Sequence, residues 1–268
     1  MARLITAHSN ETLKRIRSLR EKKFRLKEGL FLAEGMRILT EAVDAGRIPA
    51  MLIYGAETRD HPVLRRLIAA CEAGGGDVIE TTRDILGKLA AKDNPQSVLA
   101  VFPLVETPLD AIDRNLNPTW VVCQSLKDPG NLGTILRTAD AVGAGGVILL
   151  DQSCDPYSVE AVRASMGALF TQTVVQTTGP AFLDWLRQGP GQLVGASLNT
   201  DRDYQAVRYE APTFLFMGNE QSGLPPDYEA ACDTLVKIPM TGKADSLNVA
   251  VSCALLLYEL FNQRRRAG

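Results

Sequence analysis

Histidine is scarce in this 268-residue chain: it occurs only at His8 and His61, far in sequence from any cysteine cluster, so no usual zinc-ligand spacing can be read. The five cysteines (Cys71, Cys123, Cys154, Cys232 and Cys253) are odd in number, scattered, and form no C-x-x-C pair. They predict reduced, mostly buried thiols and argue against a metal-dependent mechanism. Long apolar runs are missing as well. The residues after Met1 are mixed and soon basic, and the longest apolar stretch, near Val249–Leu257, is short and interrupted by Ser252. A soluble, cytosolic protein with no membrane segment is the expectation.

What is present is the balance of an ordinary folded enzyme, 46% apolar and 22% charged, long enough for two domains. The net charge of −2 hides an asymmetry. Residues 1–27 carry nine basic side chains, Arg3, Lys14, Arg15, Arg17, Arg20, Lys22, Lys23, Arg25 and Lys27, against Glu11 and Glu21. Such a run is either a solvated helical face or a surface for phosphates, and the charge alone leaves both open.

Periodicity predicts a basic helix over residues 10–28, a strand through Gly29–Ala33 that ends at Glu34-Gly35, and a helix over Met36–Ala45. Strands at Met51–Tyr54, Asp77–Glu80 and Ser97–Phe102 alternate with helices near His61–Ala73 and Thr82–Ala91, which makes a small α/β domain of residues 1–104. Residues 105–117 lose periodicity between Pro103 and Pro118 and read as a linker with room for one helical turn. Within the second domain, 118–268, unbroken apolar runs recur at Trp120–Gln124, Gly146–Leu150, Gln172–Val175, Gln192–Ala196, Thr213–Met217 and Thr234–Ile238. Unbroken runs indicate strands covered on both faces, hence an open, mainly parallel sheet whose ligands bind at the carboxyl ends of strands. Chemistry is therefore sought in the loops after Cys123, Met217 and Ile238.

The first of these loops is Lys127-Asp128-Pro129-Gly130-Asn131-Leu132-Gly133, opening a helix that carries Arg137. Asn131 suits an N-cap, and the loop lacks the glycine spacings of dinucleotide and P-loop sites. The second is Gly218-Asn219-Glu220-Gln221-Ser222-Gly223-Leu224-Pro225, where a plain turn explains the glycines but less well a carboxylate at the mouth of a sheet. The third, Ile238 to Asn248, opens a helix over Val249–Phe261 that Ser246 or Asn248 would cap. That helix is apolar nearly all round and must be buried on several sides, a subunit interface being one way.

In order, N-x-G-x-x-x-R-T-A (Asn131–Ala139), G-N-E-x-x-G-L (Gly218–Leu224) and I-P-M-x-G-x-x-x-S-L-N-V-A (Ile238–Ala250) resemble the three signature motifs of the SpoU/TrmH family of RNA 2′-O-ribose methyltransferases. Val162–Ala168 resembles a family segment between the first two. Phe31–Gly35 and Asn94-Pro95-Gln96 are similar to the substrate-binding domain of the ribosomal RNA members. The resemblance implies a small, ribosomal-protein-like N-terminal α/β domain, and a C-terminal Rossmann-like parallel-sheet domain threaded into a trefoil knot, with a homodimer across the knot. General rules count against knots, so that expectation comes from the family alone.

The resemblance further implies S-adenosyl-L-methionine as cofactor, held by Gly218, Ile238 and Leu247 with Met217, Met240 and Asn248 nearby. It makes Arg137 the candidate catalytic group, with Asn131, Glu220, Ser246 and Asn248 orienting it, the ribose or the cofactor. A guanidinium stays protonated, so orienting the hydroxyl is easier for Arg137 than deprotonating it, and both roles stay open. RNA, and ribosomal RNA in particular, becomes the expected partner of Arg15, Arg17, Lys22, Lys23 and Arg25. The rivals are a transfer RNA methyltransferase, a nucleotide-dependent α/β enzyme, and a non-catalytic RNA-binding protein of the same fold.

Overall fold

The computed structural model describes residues 2–90 and 96–267, so Asn94 and Pro95 lie outside the described residues. The chain divides into two compact units, Met1–Val105 with Tyr157–Thr171, and Glu106–Pro156 with Gln172–Gly268.

In the first unit, β1 (Arg3–Leu4), α1 (Glu11–Ser18) and α2 (Lys22–Glu28) precede β2 (Leu30–Glu34), α3 (Met36–Asp44), β3 (Met51–Gly55), α4 (Pro62–Ala73), β4 (Asp77–Thr81), α5 (Arg83–Ala90) and β5 (Val98–Pro103). The sheet order is β1-β4-β3-β5-β2, with β5 antiparallel to both neighbours. Leu13 and Ile16 of α1 and Ile85, Leu86 and Leu89 of α5 bury against Leu32, Ile53, Ile79 and Leu99 of the sheet. Each such side chain contributes roughly 1.5–3 kcal/mol on leaving water.

The single basic helix expected over 10–28 is two helices. Ser18 Oγ donates to Arg15 O at 2.8 Å, and Arg25 Nη1 donates to Leu19 O at 2.9 Å and Arg20 O at 2.7 Å. Carbonyls that a continuous helix would use are thus satisfied by side chains, which stabilises the break. Arg25, only 3% exposed, is buried in this role, so it does not present its guanidinium to RNA as expected.

The second unit opens with β6 (Thr119–Gln124), α6 (Pro129–Ala141) and β7 (Gly146–Leu150). The chain then supplies α7 (Val159–Ser165) to the first unit. There Tyr157 and Phe170 pack with Phe31 and Phe102, ring centroids 4.8 Å apart in the closest pairs, and Arg163 Nη2 donates to the buried Glu34 carboxylate at 3.0 Å. It resumes with β8 (Thr173–Thr177), α8 (Gly179–Arg187), β9 (Gln192–Ala196), β10 (Thr213–Met217), α9 (Pro226–Ala230), β11 (Thr234–Val236) and α10 (Val249–Ala267). The sheet is parallel throughout, in the order β11-β9-β10-β6-β7-β8. This is the open parallel sheet the unbroken apolar runs predict, and the α/β, Rossmann-like architecture the resemblance implies.

Residues 105–117 carry a short 3-10 turn at Leu109–Ala111 and are anchored by Arg114. Its guanidinium lies 3.7 Å from the Trp185 ring centroid and donates to Trp185 O at 2.7 Å and Leu186 O at 2.9 Å, satisfying carbonyls at the end of α8. α10 continues beyond Phe261 to Ala267, with three arginines in its last turn where the helix dipole favours cations.

Register sets up the site. Met217 pairs with Cys123 and Phe216 with Gly195, so β6, β9 and β10 end level with one another and release their loops side by side.

Candidate active site

Pro129 begins α6, and the cap before it is Asp128, whose Oδ1 accepts from Asn131 N at 2.7 Å. Asn131 was the expected cap; because Asp128 does that work, the Asn131 amide is free for tertiary bonds. Its Nδ2 donates to Glu220 Oε1 at 3.3 Å, and its Oδ1 accepts from Asn248 Nδ2 at 2.9 Å. Asn248 in turn caps α10, its Oδ1 accepting from Ala250 N at 2.9 Å and Val251 N at 3.3 Å. The three motif loops are joined through Asn131, Glu220 and Asn248.

Glu220 ties the loops further. It accepts from Lys127 N at 3.1 Å, Asp128 N at 3.0 Å and Asn219 Nδ2 at 3.4 Å. Burial pushes its carboxyl upward, but the backbone N–H groups of Asp128, Glu220 itself and Lys127, with the Asn131 amide, outweigh burial and hold it below the ordinary carboxylate range. Glu220 is an anion that neutral donors have already claimed. Asn219 completes the second loop by donating to Ser125 O at 2.8 Å, where Ser125 sits in left-handed backbone (φ 47°) just beyond β6. Such a conformation costs a non-glycine residue about 1–3 kcal/mol and concentrates at functional sites.

Two neighbouring cavities flank this network. One, of about 310 Å³, is walled by Met217, Gly218, Ile238, Met240, Ser246 and Leu247 among others. The other, open and polar, is lined by Ser125, Lys127, Asn131 and Asn248. Asn219 and Glu220 face both. The first falls at the lower end of the roughly 300–1,000 Å³ of small-molecule sites and is mostly apolar with a few polar groups, as a nucleoside-sized ligand requires. Gly218 is packed so tightly that an added Cβ would meet Gly223 C at 2.2 Å and Leu224 N at 2.3 Å. Only glycine lets backbone pass there and form that wall.

The residues expected to hold the cofactor thus share one cavity, except Asn248, which lines the adjoining one. Arg137 is not brought in: it is exposed on α6 and lines neither cavity. Of the basic N-terminal residues, Arg17 and Lys22 are exposed, Arg15 pairs with Glu28 at 2.6 Å and Lys23 with Glu21 at 3.0 Å. Among the described residues no group of histidine, cysteine and carboxylate side chains could hold a metal ion. Ser197, Asn199 and Glu229 also line the first cavity and were not anticipated. For Ser197 and Asn199 the signal was present, since their loop follows Gln192–Ala196, another buried parallel strand ending at the same edge; Glu229 lies on α9, where no such signal marks it.

Fold and site define an α/β domain with a nucleoside-sized cavity at the carboxyl edge of a parallel sheet. The model of the SpoU rRNA Methylase family matches residues 118–258, and that of the MRM3-like substrate binding domain matches residues 10–100. The chain belongs to the SpoU rRNA methylase family. It is 34% identical to the 23S rRNA (uridine(2479)-2′-O)-methyltransferase of Streptomyces viridochromogenes, over 90% of this chain and 85% of that one. It is 30% identical to the 23S rRNA (guanosine(2553)-2′-O)-methyltransferase of Bacillus subtilis, over 96% and 98%. Its fold is similar to that of the AdoMet-bound rRNA methyltransferase from Sinorhizobium meliloti, with a TM-score of 0.91, 36% identity and 98% of each chain covered.

Proposed function

We propose that this protein transfers a methyl group from S-adenosylmethionine to a ribose 2′-hydroxyl of 23S ribosomal RNA. The observation that carries the reading is the Asn248–Asn131–Glu220 network, which lies between an apolar, nucleoside-sized cavity and an open polar one. Two reactants that must meet in line need such adjoining seats. The donor, when bound, supplies a methyl group on a positively charged sulfur. Met217, Gly218, Ile238, Met240 and Leu247 form its seat, with Asn248 beside it.

The acceptor hydroxyl belongs in the polar cavity, where Asn131 and Asn248 offer neutral hydrogen-bonding groups and Ser246 lies near the donor's seat. Arg137 lines neither cavity of the single chain, so its assignment to orienting the hydroxyl or the adjacent phosphate rests on its place in the first motif and requires RNA or a second copy to bring the two together. A guanidinium holds its proton, which favours orienting over deprotonation. Arg15, Arg17, Lys22 and Lys23 contribute phosphate contacts. Ribosomal rather than transfer RNA is favoured because the relatives named for 23S rRNA align along both units.

The family's trefoil knot and homodimer belong to the same reading. Val251, Leu255 and Tyr258, spaced i, i+4, i+7 on α10 and 49%, 38% and 46% exposed, form an apolar stripe that a second copy would cover. No helix among the described residues is long and apolar enough to cross a membrane.

Calorimetry with S-adenosylmethionine tests the core of the proposal, and no binding by the purified protein would sink it. Mapping of 2′-O-methyl sites in 23S rRNA from cells with and without the protein names the nucleotide.

A further inference from the structure

The apolar cavity has two carboxylates on its wall, Glu220 and Glu229, and no lysine or arginine among the described residues that line it. Glu220 is engaged by at least four neutral donors of the motif loops. Glu229 is different. It sits on α9, and its Oε1 accepts from Ser197 Oγ and from Asn199 Nδ2 at 3.1 Å, while Oε2 accepts from Asn199 Nδ2 at 3.0 Å. Ser197 Oγ also accepts from Asn199 N at 2.9 Å, which folds the loop after β9 around the carboxylate.

A carboxylate offers about four acceptor positions, two on each oxygen. Both on Oε1 are filled, and one on Oε2 is left. The donors already in place are neutral, so the full negative charge remains, and no ion pair to Glu229 exists among the described residues. A vicinal diol, which bridges both oxygens, would find one of them saturated. A single N–H from an ammonium group fits the remaining position and gains from the charge. The carboxylate is also held before any ligand arrives, so little is lost in ordering it. Glu229 and its partners do not line the polar cavity where the acceptor is placed. They therefore face a part of the donor away from the acceptor's seat.

We propose that Glu229 is a cofactor-specificity residue that receives the α-ammonium group of the methyl donor, held in place by Ser197 and Asn199. The assignment rests on the methyl-donor reading above. A Glu229 variant should lose affinity for ligands that carry the amino-acid portion and keep affinity for those that lack it.

Calorimetry on the full-length protein tests this with three ligands: S-adenosylmethionine, S-adenosylhomocysteine, and 5′-methylthioadenosine, which has no amino-acid portion. Glu229→Gln keeps the size of the side chain and an oxygen for Ser197 and Asn199. It is expected to weaken the first two ligands at least tenfold and the third less than threefold. Asn199→Ala loosens the loop without removing the charge, and is expected to weaken all three by similar factors. Equal losses for the three ligands in Glu229→Gln, or no loss, would overturn the assignment and leave Glu229 a loop clamp. Failure of the unaltered protein to bind S-adenosylmethionine would overturn the methyl-donor reading and this one with it.

Discussion

Asn248 donates its side-chain amide to Asn131 Oδ1 at 2.9 Å, a bond between the start of α10 and the first turn of α6 across 117 residues of chain. Each asparagine is held from its other side as well, Asn248 by the N–H groups it caps and Asn131 by Glu220. Neither amide can turn without breaking a second bond, so the floor of the polar cavity is rigid before any substrate arrives.

Glu220 should therefore matter to stability as well as activity. Glu220→Ala leaves the N–H groups of Lys127 and Asp128 and the Asn131 amide without their acceptor, at a cost of about 1–3 kcal/mol for each group that water does not reach. Its titration sets a pH signature. Because the folded-state value lies below the ordinary 4.5, the contribution is present above the unfolded value and lost as pH falls through the folded one. The melting-temperature gap between the unaltered protein and Glu220→Gln should stay constant down to about pH 5 and close below it. A gap that persists unchanged to pH 3 would contradict this account.

Arg137 lines neither cavity, so its removal should spare the donor's seat. Arg137→Ala is expected to reduce methylation by at least about 100-fold, the scale of a lost proton-transfer or orienting group, with S-adenosylmethionine affinity within a few-fold of normal. Full activity, or a parallel collapse of cofactor affinity, would remove Arg137 from the assigned role.

Gly218→Ala places a methyl group against the backbone of Gly223 and Leu224. The clash cannot be relieved by a flexible side chain, so about 1–3 kcal/mol of stability should be lost as the second loop shifts. Cofactor affinity should fall with it, which thermal unfolding and calorimetry read separately.

The stripe of Val251, Leu255 and Tyr258 predicts the assembly state. Leu255→Glu should convert a dimer to a monomer in light scattering after size exclusion, because a charge would be buried without a partner. A variant that remains dimeric would place the interface elsewhere.

Much of the second unit was legible in the sequence. Gly146–Leu150, Gln192–Ala196 and Thr213–Met217 are strands over the whole of the expected ranges, because central parallel strands must be apolar on both faces and so interrupt the helical period clearly. The cofactor residues were legible only through their motifs. Composition and spacing located polar loops at strand ends, and the choice of Met217, Gly218, Ile238, Met240 and Leu247 came from the resemblance.

The amino-acid sequence by itself determined the alternation of strands and helices, the three polar loops and the basic N-terminal run, since these depend on residues adjacent along the chain. Tertiary structure decided what those residues touch. Arg25 looked like one more surface cation until its guanidinium found the carbonyls between two helices. Asn131 looked like a helix cap until Asp128 took that place and freed its amide. Tyr157–Thr171 joined the first unit through its aromatic and charged side chains, although its sequence neighbours belong to the second. Glu229, Ser197 and Asn199 became part of a cavity wall only when β9 came to lie beside β10. Hydrogen-bond partners and burial depend on distances between residues far apart in the chain, and only the folded arrangement fixes those.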